Sequence, residues 1–238
     1  MDPNSGSLAY WHSRWREDAD PYAASWPDRY ARLLELEFLA ANLGTPASVL
    51  EIGCGPFTVG ESPNLYKRLS ATRYTGLEGA SAAVAEFRDF APPSAVVLSR
   101  DLEDPSLVLP TADLIISRRV LQNLTADSRR RHLQQIINYP HGVLIEGSTR
   151  GLAELNKVRA IHDLPPLIEP AFNSYLSEDE EDLLLSVAHR RPFMSTYYNE
   201  TRGRQQLIGW NTRDHFDAYY KTLHANTGSL GPNMGFAW

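Results

Sequence analysis

The pattern of apolar and polar positions changes character along this chain. Residues 25–44 carry apolar side chains at helical spacing, which predicts a helix that Ser25 caps and Gly44 ends. From residue 48 onward, short apolar runs alternate with polar stretches of helix length, as in a parallel sheet with connecting helices. Five strands are predicted in this part: Ser48 to Ile52, Arg73 to Glu78, Ala95 to Ser99, Asp113 to Ser117 and Gly142 to Glu146. We therefore expect an α/β fold with a doubly wound, mostly parallel sheet.

One helix in this region is predicted by its cap and its spacing. Thr125 precedes residues 126–138, in which Leu133, Ile136 and Ile137 would face the sheet. The run of three arginines at 129–131 is interpreted as the solvated side of that helix, with anion binding as the less favoured alternative.

The alternation stops after residue 146. Residues 147–176 are rich in proline, asparagine and mixed charge, which indicates an insertion beyond the carboxyl end of the fifth strand. Ser177 and Glu180 form a capping box that predicts a helix, and residues 193–200 and 205–210 have strand character, for seven strands in all. The expected organisation is a single domain with an N-terminal helical cap (1–46), a core (47–146), a lid insertion (147–190) and C-terminal strands and helix (191–238).

Composition and charge exclude several classes of function. The 238 residues are 42% apolar and 22% charged, and the net charge of −6 disfavours a nucleic-acid partner. The chain has one cysteine, no secretion-signal pattern and no apolar run long enough to cross a membrane, so we expect a cytoplasmic protein without membrane association. Its seven histidines lack the spacing of metal ligands, and no metal is expected.

Candidate chemistry begins where the first strand ends. The segment SVLEIGCGP places Glu51 inside an apolar run and Gly53 and Gly55 in the turn that follows. Ligands of open parallel sheets bind at this edge, and glycines let them approach the backbone. A dinucleotide site would need a third glycine where Thr58 stands, and Glu51 would repel a pyrophosphate. A cationic ligand fits better, and S-adenosylmethionine offers a sulfonium and an ammonium group on a nucleoside.

Two further acids follow the next two strands. Glu78 ends the second strand, where a carboxylate can accept both hydroxyls of a ribose. Asp101 follows the third strand and can accept from an adenine amino group, while the amide of Leu102 addresses a ring nitrogen. The three acids would then contact the methionine, ribose and base portions of one ligand.

Five segments occur in an order that resembles the class I S-adenosylmethionine-dependent methyltransferases: VLEIGCG, YTGLEGA, SRDLED, ADLIISRRVLQNL and GVLIEGS, over about residues 48–150. Later segments, up to about residue 202, look like a bacterial subgroup that acts on small molecules. The resemblance implies S-adenosyl-L-methionine as cofactor, held by Glu51, Gly53, Gly55, Glu78, Asp101, Leu102, Ser117 and Arg118. It also implies O- or N-methylation of a small-molecule acceptor, in natural-product or saccharide metabolism, by a monomer or homodimer.

The acceptor is expected between the N-terminal cap and the insertion, because both flank the edge from which the methyl group emerges. Polar candidates for contacting it are Asn156, Arg159, Asn173 and Tyr175. A hydroxyl acceptor would need a general base, for which the candidates are Glu146, His141 and His162.

Two other functions stay open from the sequence. Pro56 and Phe57 stand where the family usually has small residues, which leaves room for a catalytically silent cofactor-binding protein that acts through partner contacts. Glycines after one strand and an acid after the next also fit an NAD-dependent oxidoreductase.

Overall fold

The computed structural model describes residue 8, residues 46–56, 73–169 and 174–186, and the backbone of residues 192–199 and 203–210; the side chains of residues 154, 155 and 158 are outside this description. Its strands are β1 (Ser48–Ile52), β2 (Arg73–Glu78), β3 (Ala95–Ser99), β4 (Leu114–Arg118), β5 (His141–Glu146), β6 (Pro192–Asn199) and β7 (Gly203–Trp210). Its helices are α1 (Ser81–Phe90), α2 (Ala126–Ile136), α3 (Thr149–Ile161) and α4 (Glu178–Leu185), with a 3-10 turn at Leu121–Asn123. The predicted N-terminal helix, 25–44, and the C-terminal helix lie outside the described residues.

The strands form one seven-stranded sheet in the order β3-β2-β1-β4-β5-β7-β6. Strands β1 to β5 are parallel, and β7 runs antiparallel to both β5 and β6. The chain therefore moves outward from β1 in one direction to β3 and then returns to place β4 on the other side of β1. Because crossovers between parallel strands are right-handed, the helices that follow the two directions lie on opposite faces of the sheet.

The core lies between the sheet and its helices. Strand residues Leu50, Ile52 and Leu144 are at most 1% exposed, and Leu133 and Ile136 of α2 pack in the same cluster. Parallel strands covered on both faces need such continuous apolar runs, which is why these strands could be located from the sequence.

The predicted parallel sheet is confirmed, with small shifts in bounds. The first three strands have the predicted limits, whereas β4 begins one residue later and β5 one residue earlier than expected. Thr125 caps α2 by accepting from Ser128 N, and the capping box of Ser177 and Glu180 is present at α4.

The insertion contains a helix that the sequence analysis did not predict: Ser148 accepts from the amide of Gly151 and begins the thirteen-residue helix α3. The interpretation of the arginine run as a solvated side is wrong for Arg129, which is 3% exposed and ion-paired with Glu180 at 2.8 Å, whereas Arg130 is exposed as expected. Packing of α4 against α2 supplies the buried carboxylate that a single helix pattern does not reveal.

Candidate active site

The candidate residues gather at the carboxyl edge of the parallel strands. The adjacent strands β1 and β4 are the point where the strand order reverses, and Ile52 is in register with Ser117 there. Loops diverge at such a point and leave a crevice for a ligand. The turn after β1, the end of β2, the loop after β3 and the end of β4 all meet at this edge.

The turn after β1 depends on its glycines. Gly53 has φ +62° and Gly55 has φ +68°, a region that other residues enter only with strain. A Cβ atom added to Gly53 would lie 2.4 Å from Cγ2 of Val120, so the space as well as the conformation requires glycine. The amide of Gly53 donates to the carbonyl of Leu77 at 2.8 Å, which ties the turn to the end of β2.

Glu51 is neutralised inside the protein. Its carboxylate is 1% exposed, accepts from Nε of Arg118 at 3.1 Å, forms an ion pair with the same guanidinium, and accepts from the hydroxyl of Tyr74. The two predicted cofactor residues thus bind each other, and a ligand cation is not required to balance Glu51. The sequence analysis did not predict this ion pair, although a charged residue within each of two apolar strands was a signal for it. Nothing in the sequence indicated that Tyr74 contacts Glu51.

Glu78 lies at the end of β2 and holds the glycine turn. One carboxylate oxygen accepts from the amide of Gly55 at 3.0 Å, and the other accepts from the amide of Ala80 at 2.8 Å. Burial raises the pKa of the Glu78 carboxyl, while the amides of Ala80, Gly55 and Gly79 act to lower it. Each oxygen can accept a second hydrogen bond, so the carboxylate can still receive hydroxyl groups from a ligand.

The loop after β3 lies at the same edge, beside Glu78. The amide of Arg100 donates to the carbonyl of Glu78 at 3.1 Å. Asp101 is exposed, and one of its oxygens accepts from the amide of Glu103 at 2.9 Å, which shapes the loop. Leu102 is half-buried and packs its side chain against the core. Their predicted contact with adenine stays a prediction.

Ser117 and Glu146 join the ends of β4 and β5. Both are fully buried, and the hydroxyl of Ser117 donates to Glu146 at 2.7 Å. The same carboxylate accepts from the amides of Val120 at 3.1 Å and Gln122 at 3.3 Å, so it anchors the turn that covers Gly53. Burial raises the pKa of the Glu146 carboxyl, and the bonds from Ser117 and the turn amides act to lower it. These contacts favour a structural role for Glu146 over the predicted proton transfer.

The two candidate histidines, His141 and His162, are both exposed. His141 begins β5, so five residues separate it from the carboxyl end, a distance of about 16 Å in a strand. His162 follows the last turn of α3. His141 therefore lies at the opposite end of β5 from the candidate site, and the role of His162 stays a prediction.

The candidate acceptor residues of the insertion hold the insertion itself. The side-chain amide of Asn156 donates through Nδ2 to the carbonyl of Leu167 and accepts through Oδ1 from the N–H of Leu167, both at 2.8 Å. Nε of Arg159 donates to the carbonyl of Pro165 at 2.8 Å. Tyr175 is 3% exposed, and its ring packs so closely on Gly147 that an added Cβ there would lie 2.2 Å from it. Asn173 lies outside the described residues.

Gln122 is a connecting residue that the sequence did not reveal. Its side-chain oxygen accepts from the amide of Gly147 at 2.7 Å, and its carbonyl accepts from the amide of Ser174 at 2.8 Å. The turn anchored by Glu146 is thereby joined to the segment that carries Tyr175. An uncharged glutamine in a mixed segment has no distinguishing pattern, so only the fold identifies it.

Within the described part of the chain, no three His, Cys, Asp or Glu side chains come together as a metal site would require. Among the same residues, no helix has the length and apolar character needed to span a membrane.

Comparison with known proteins identifies the fold. No family model and no curated protein matches this chain. Among solved structures, the chain is similar to the N-methyltransferase NodS from Bradyrhizobium japonicum WM9 in complex with S-adenosyl-L-homocysteine, with a TM-score of 0.56 and 16% identity over 88% of this chain and 98% of that one. It is also similar to magnesium protoporphyrin IX methyltransferase (ChlM) from Synechocystis PCC 6803 with bound S-adenosylhomocysteine, with a TM-score of 0.57 and 14% identity over 88% and 96%.

A third similar structure is the DhpI-SAM-HEP complex, with a TM-score of 0.55 and 16% identity over 86% of this chain and 96% of that one. All three similarities cover most of both chains. The strand order, the antiparallel seventh strand and these structures together show that the chain has the fold of the class I S-adenosylmethionine-dependent methyltransferases.

Proposed function

We propose that the protein binds S-adenosylmethionine and transfers its methyl group to a small-molecule acceptor. The observation that carries this proposal is the joint between Gly55 and Glu78, where a turn of two left-handed glycines is held by a carboxylate at the end of the next strand. That arrangement leaves backbone open to a ligand and places an acceptor of hydroxyl hydrogen bonds beside it. The similar structures that contain S-adenosylhomocysteine or S-adenosylmethionine support the same ligand.

The residues present fit this cofactor. Glu78 retains acceptor capacity toward the ribose hydroxyls, and Asp101 with the Leu102 amide would address the base. The pair of Glu51 and Arg118 carries little net charge, so it does not repel a sulfonium. When bound, the cofactor supplies an electrophilic methyl group that an acceptor attacks in line.

The chain's own contribution to such a transfer is alignment. The anchored turn of Val120 and Gln122 and the segment around Tyr175 form one connected structure beside the glycine turn. A wall connected in this way would help to hold two reactants in one geometry, which is the main requirement of a displacement reaction. Whether the acceptor atom is oxygen or nitrogen is determined by identifying the methylated product.

Calorimetry with S-adenosylhomocysteine tests cofactor binding. We expect a micromolar Kd for the parent protein, which corresponds to about −8 kcal/mol. Glu78→Ala should weaken binding roughly ten- to hundredfold, because hydrogen bonds to a charged group contribute about 1.5–3 kcal/mol. Asp89→Asn, at an exposed position of α1, is the matched loss of one negative charge and should leave Kd unchanged.

Two further measurements separate the functions. Methyl-labelled S-adenosylmethionine incubated with the protein and a small-molecule extract should give a labelled product in mass spectrometry. Binding without any labelled product across broad acceptor sets would favour the catalytically silent protein. Quenching of reduced nicotinamide fluorescence, with no response to S-adenosylhomocysteine, would replace the proposal with an oxidoreductase.

A further inference from the structure

Helix α2 and its cap residue Thr125 make hydrogen bonds to the loop that follows β3, residues 101–104. Nε2 of His132 lies 2.6 Å from the carbonyl oxygen of Leu102, and Nη2 of Arg131 donates to the same carbonyl at 3.4 Å and to that of Asp104 at 3.2 Å. The amide and hydroxyl of Thr125 donate to the carboxylate of Glu103 at 2.8 and 2.7 Å. Three consecutive residues of the loop are therefore fixed from one helix.

The geometry determines the protonation of His132. A carbonyl only accepts hydrogen bonds, so Nε2 carries the proton in this contact. The ring is fully buried, and Nδ1 has no hydrogen-bond partner among the described residues. A second proton on Nδ1 would have nothing to bond to, and burial lowers the pKa of His132 accordingly. The residue is a neutral donor aimed at one carbonyl of the loop.

The N–H of Leu102 lies in the same held loop. The Leu102 side chain packs in the core, and Asp101 is turned back onto the amide of Glu103. The N–H of Leu102 shares a peptide plane with the carbonyl of Asp101, and that carbonyl accepts from the amide of Asp104 at 3.2 Å, so the direction of the N–H is set within the held loop. The group proposed for adenine recognition thus belongs to a loop that is held by the Arg131 and His132 side chains of α2.

We propose that His132 and Arg131 are positioning residues that set the selectivity of the site for adenine over other bases. The inference rests on the proposed function, since it concerns the base of the same cofactor. It assigns to the α2 helix a role in ligand choice beyond its packing in the core.

The test compares two ligands that differ only at the base edge, S-adenosylhomocysteine and S-inosylhomocysteine. Inosine replaces the amino donor by an oxygen acceptor and carries a proton on N1, so the Asp101 carboxylate would face another acceptor and the Leu102 N–H another donor. We expect the parent protein to prefer the adenosyl ligand by about tenfold or more, the usual effect of one hydrogen bond to a charged group. His132→Leu and Arg131→Met should each reduce that ratio at least roughly threefold.

Two variants serve as controls. His132→Gln keeps an N–H donor at the position of Nε2 and should restore the ratio. Gln135→Leu removes two bonds from the same helix, to Leu107 at 3.2 Å and Leu109 at 2.8 Å, but none to the loop. It should lower the melting temperature yet keep the selectivity of the parent protein.

The outcomes are distinct. If the parent protein binds S-adenosylhomocysteine and both loop variants keep its selectivity, the positioning role is wrong while the proposed function stands. If Gln135→Leu loses selectivity equally, the effect is general destabilisation and the proposal also fails. If the parent protein binds neither ligand, the proposed function itself is overturned. Should His132→Leu not fold, Arg131→Met decides the question.

Discussion

Substitution of Gly53 by alanine tests whether the turn after β1 is built as the structure describes. Gly53 has φ +62°, and an added Cβ would lie 2.4 Å from Cγ2 and 3.0 Å from Cγ1 of Val120. The first property strains any residue with a side chain. The second forces Val120, and the turn that carries it, to move.

The two costs can be estimated separately. A left-handed conformation costs a residue with a side chain about 1–2 kcal/mol. Overpacking against Val120 adds about 1–3 kcal/mol. Alanine also lowers the entropy of the unfolded chain, which offsets about 0.4–1 kcal/mol. We expect Gly53→Ala to lower the free energy of unfolding by about 1–4.5 kcal/mol in total.

Urea unfolding of a double-mutant cycle separates the terms. Val120→Ala removes both methyl groups that the new Cβ would meet, so Gly53→Ala should cost less in that background than in the parent protein. The coupling free energy should be about 1–3 kcal/mol, and the remaining loss is that of the left-handed conformation. Additive effects, within about 0.5 kcal/mol, would show that Val120 does not lie over Gly53 and would refute this description of the turn.

Two more predictions concern the helices beside the site. Arg129→Met should lower the free energy of unfolding by about 3–5 kcal/mol, because it leaves Glu180 buried and unpaired. Adding Glu180→Gln, which keeps an acceptor for the Ser177 amide, should recover most of this loss in urea titrations. If the second substitution recovers nothing, the pairing of Arg129 with Glu180 is contradicted. Burial raises the pKa of Glu181 from 4.5 to about 7, so its folded form holds the proton more tightly than the unfolded form. Its contribution to stability is complete below pH 4.5 and is lost as the pH rises through 7. Melting temperatures between pH 4 and 8 should therefore fall less with rising pH in Glu181→Gln than in the parent protein, and identical slopes would argue against the shift.

Local patterns located most of the elements because their causes are local. The apolar runs of β1, β2 and β3 and the caps Thr125 and Ser177 were recognised with little error. Helix α3 was missed because its segment carries mixed charge and a glycine, and no strong apolar stripe marks it. Its cap, Ser148, was a usable signal that went unread.

The candidate site divides in a similar way. Glu51, Gly53, Gly55, Glu78, Asp101, Leu102, Ser117 and Arg118 lie along one edge of the sheet, as their positions at strand ends predicted. Their contacts with the cofactor stay predictions. Asn156 and Arg159 of α3 instead bond to backbone groups of their own segment, and His141 and His162 are exposed. Residue type alone does not determine which partner a side chain contacts.

The amino-acid sequence by itself determined where the parallel strands and the glycine turn lie and which carboxyl groups follow each strand, because strand burial and left-handed turns act on neighbouring residues. Only the tertiary structure decided which of those groups are already partnered. Glu51 and Arg118 are 67 residues apart and meet because β1 and β4 are adjacent. Glu146 anchors a turn 24–26 residues away for the same reason. The strand order sets these pairings, and buried charges then take the partners that the order brings within reach.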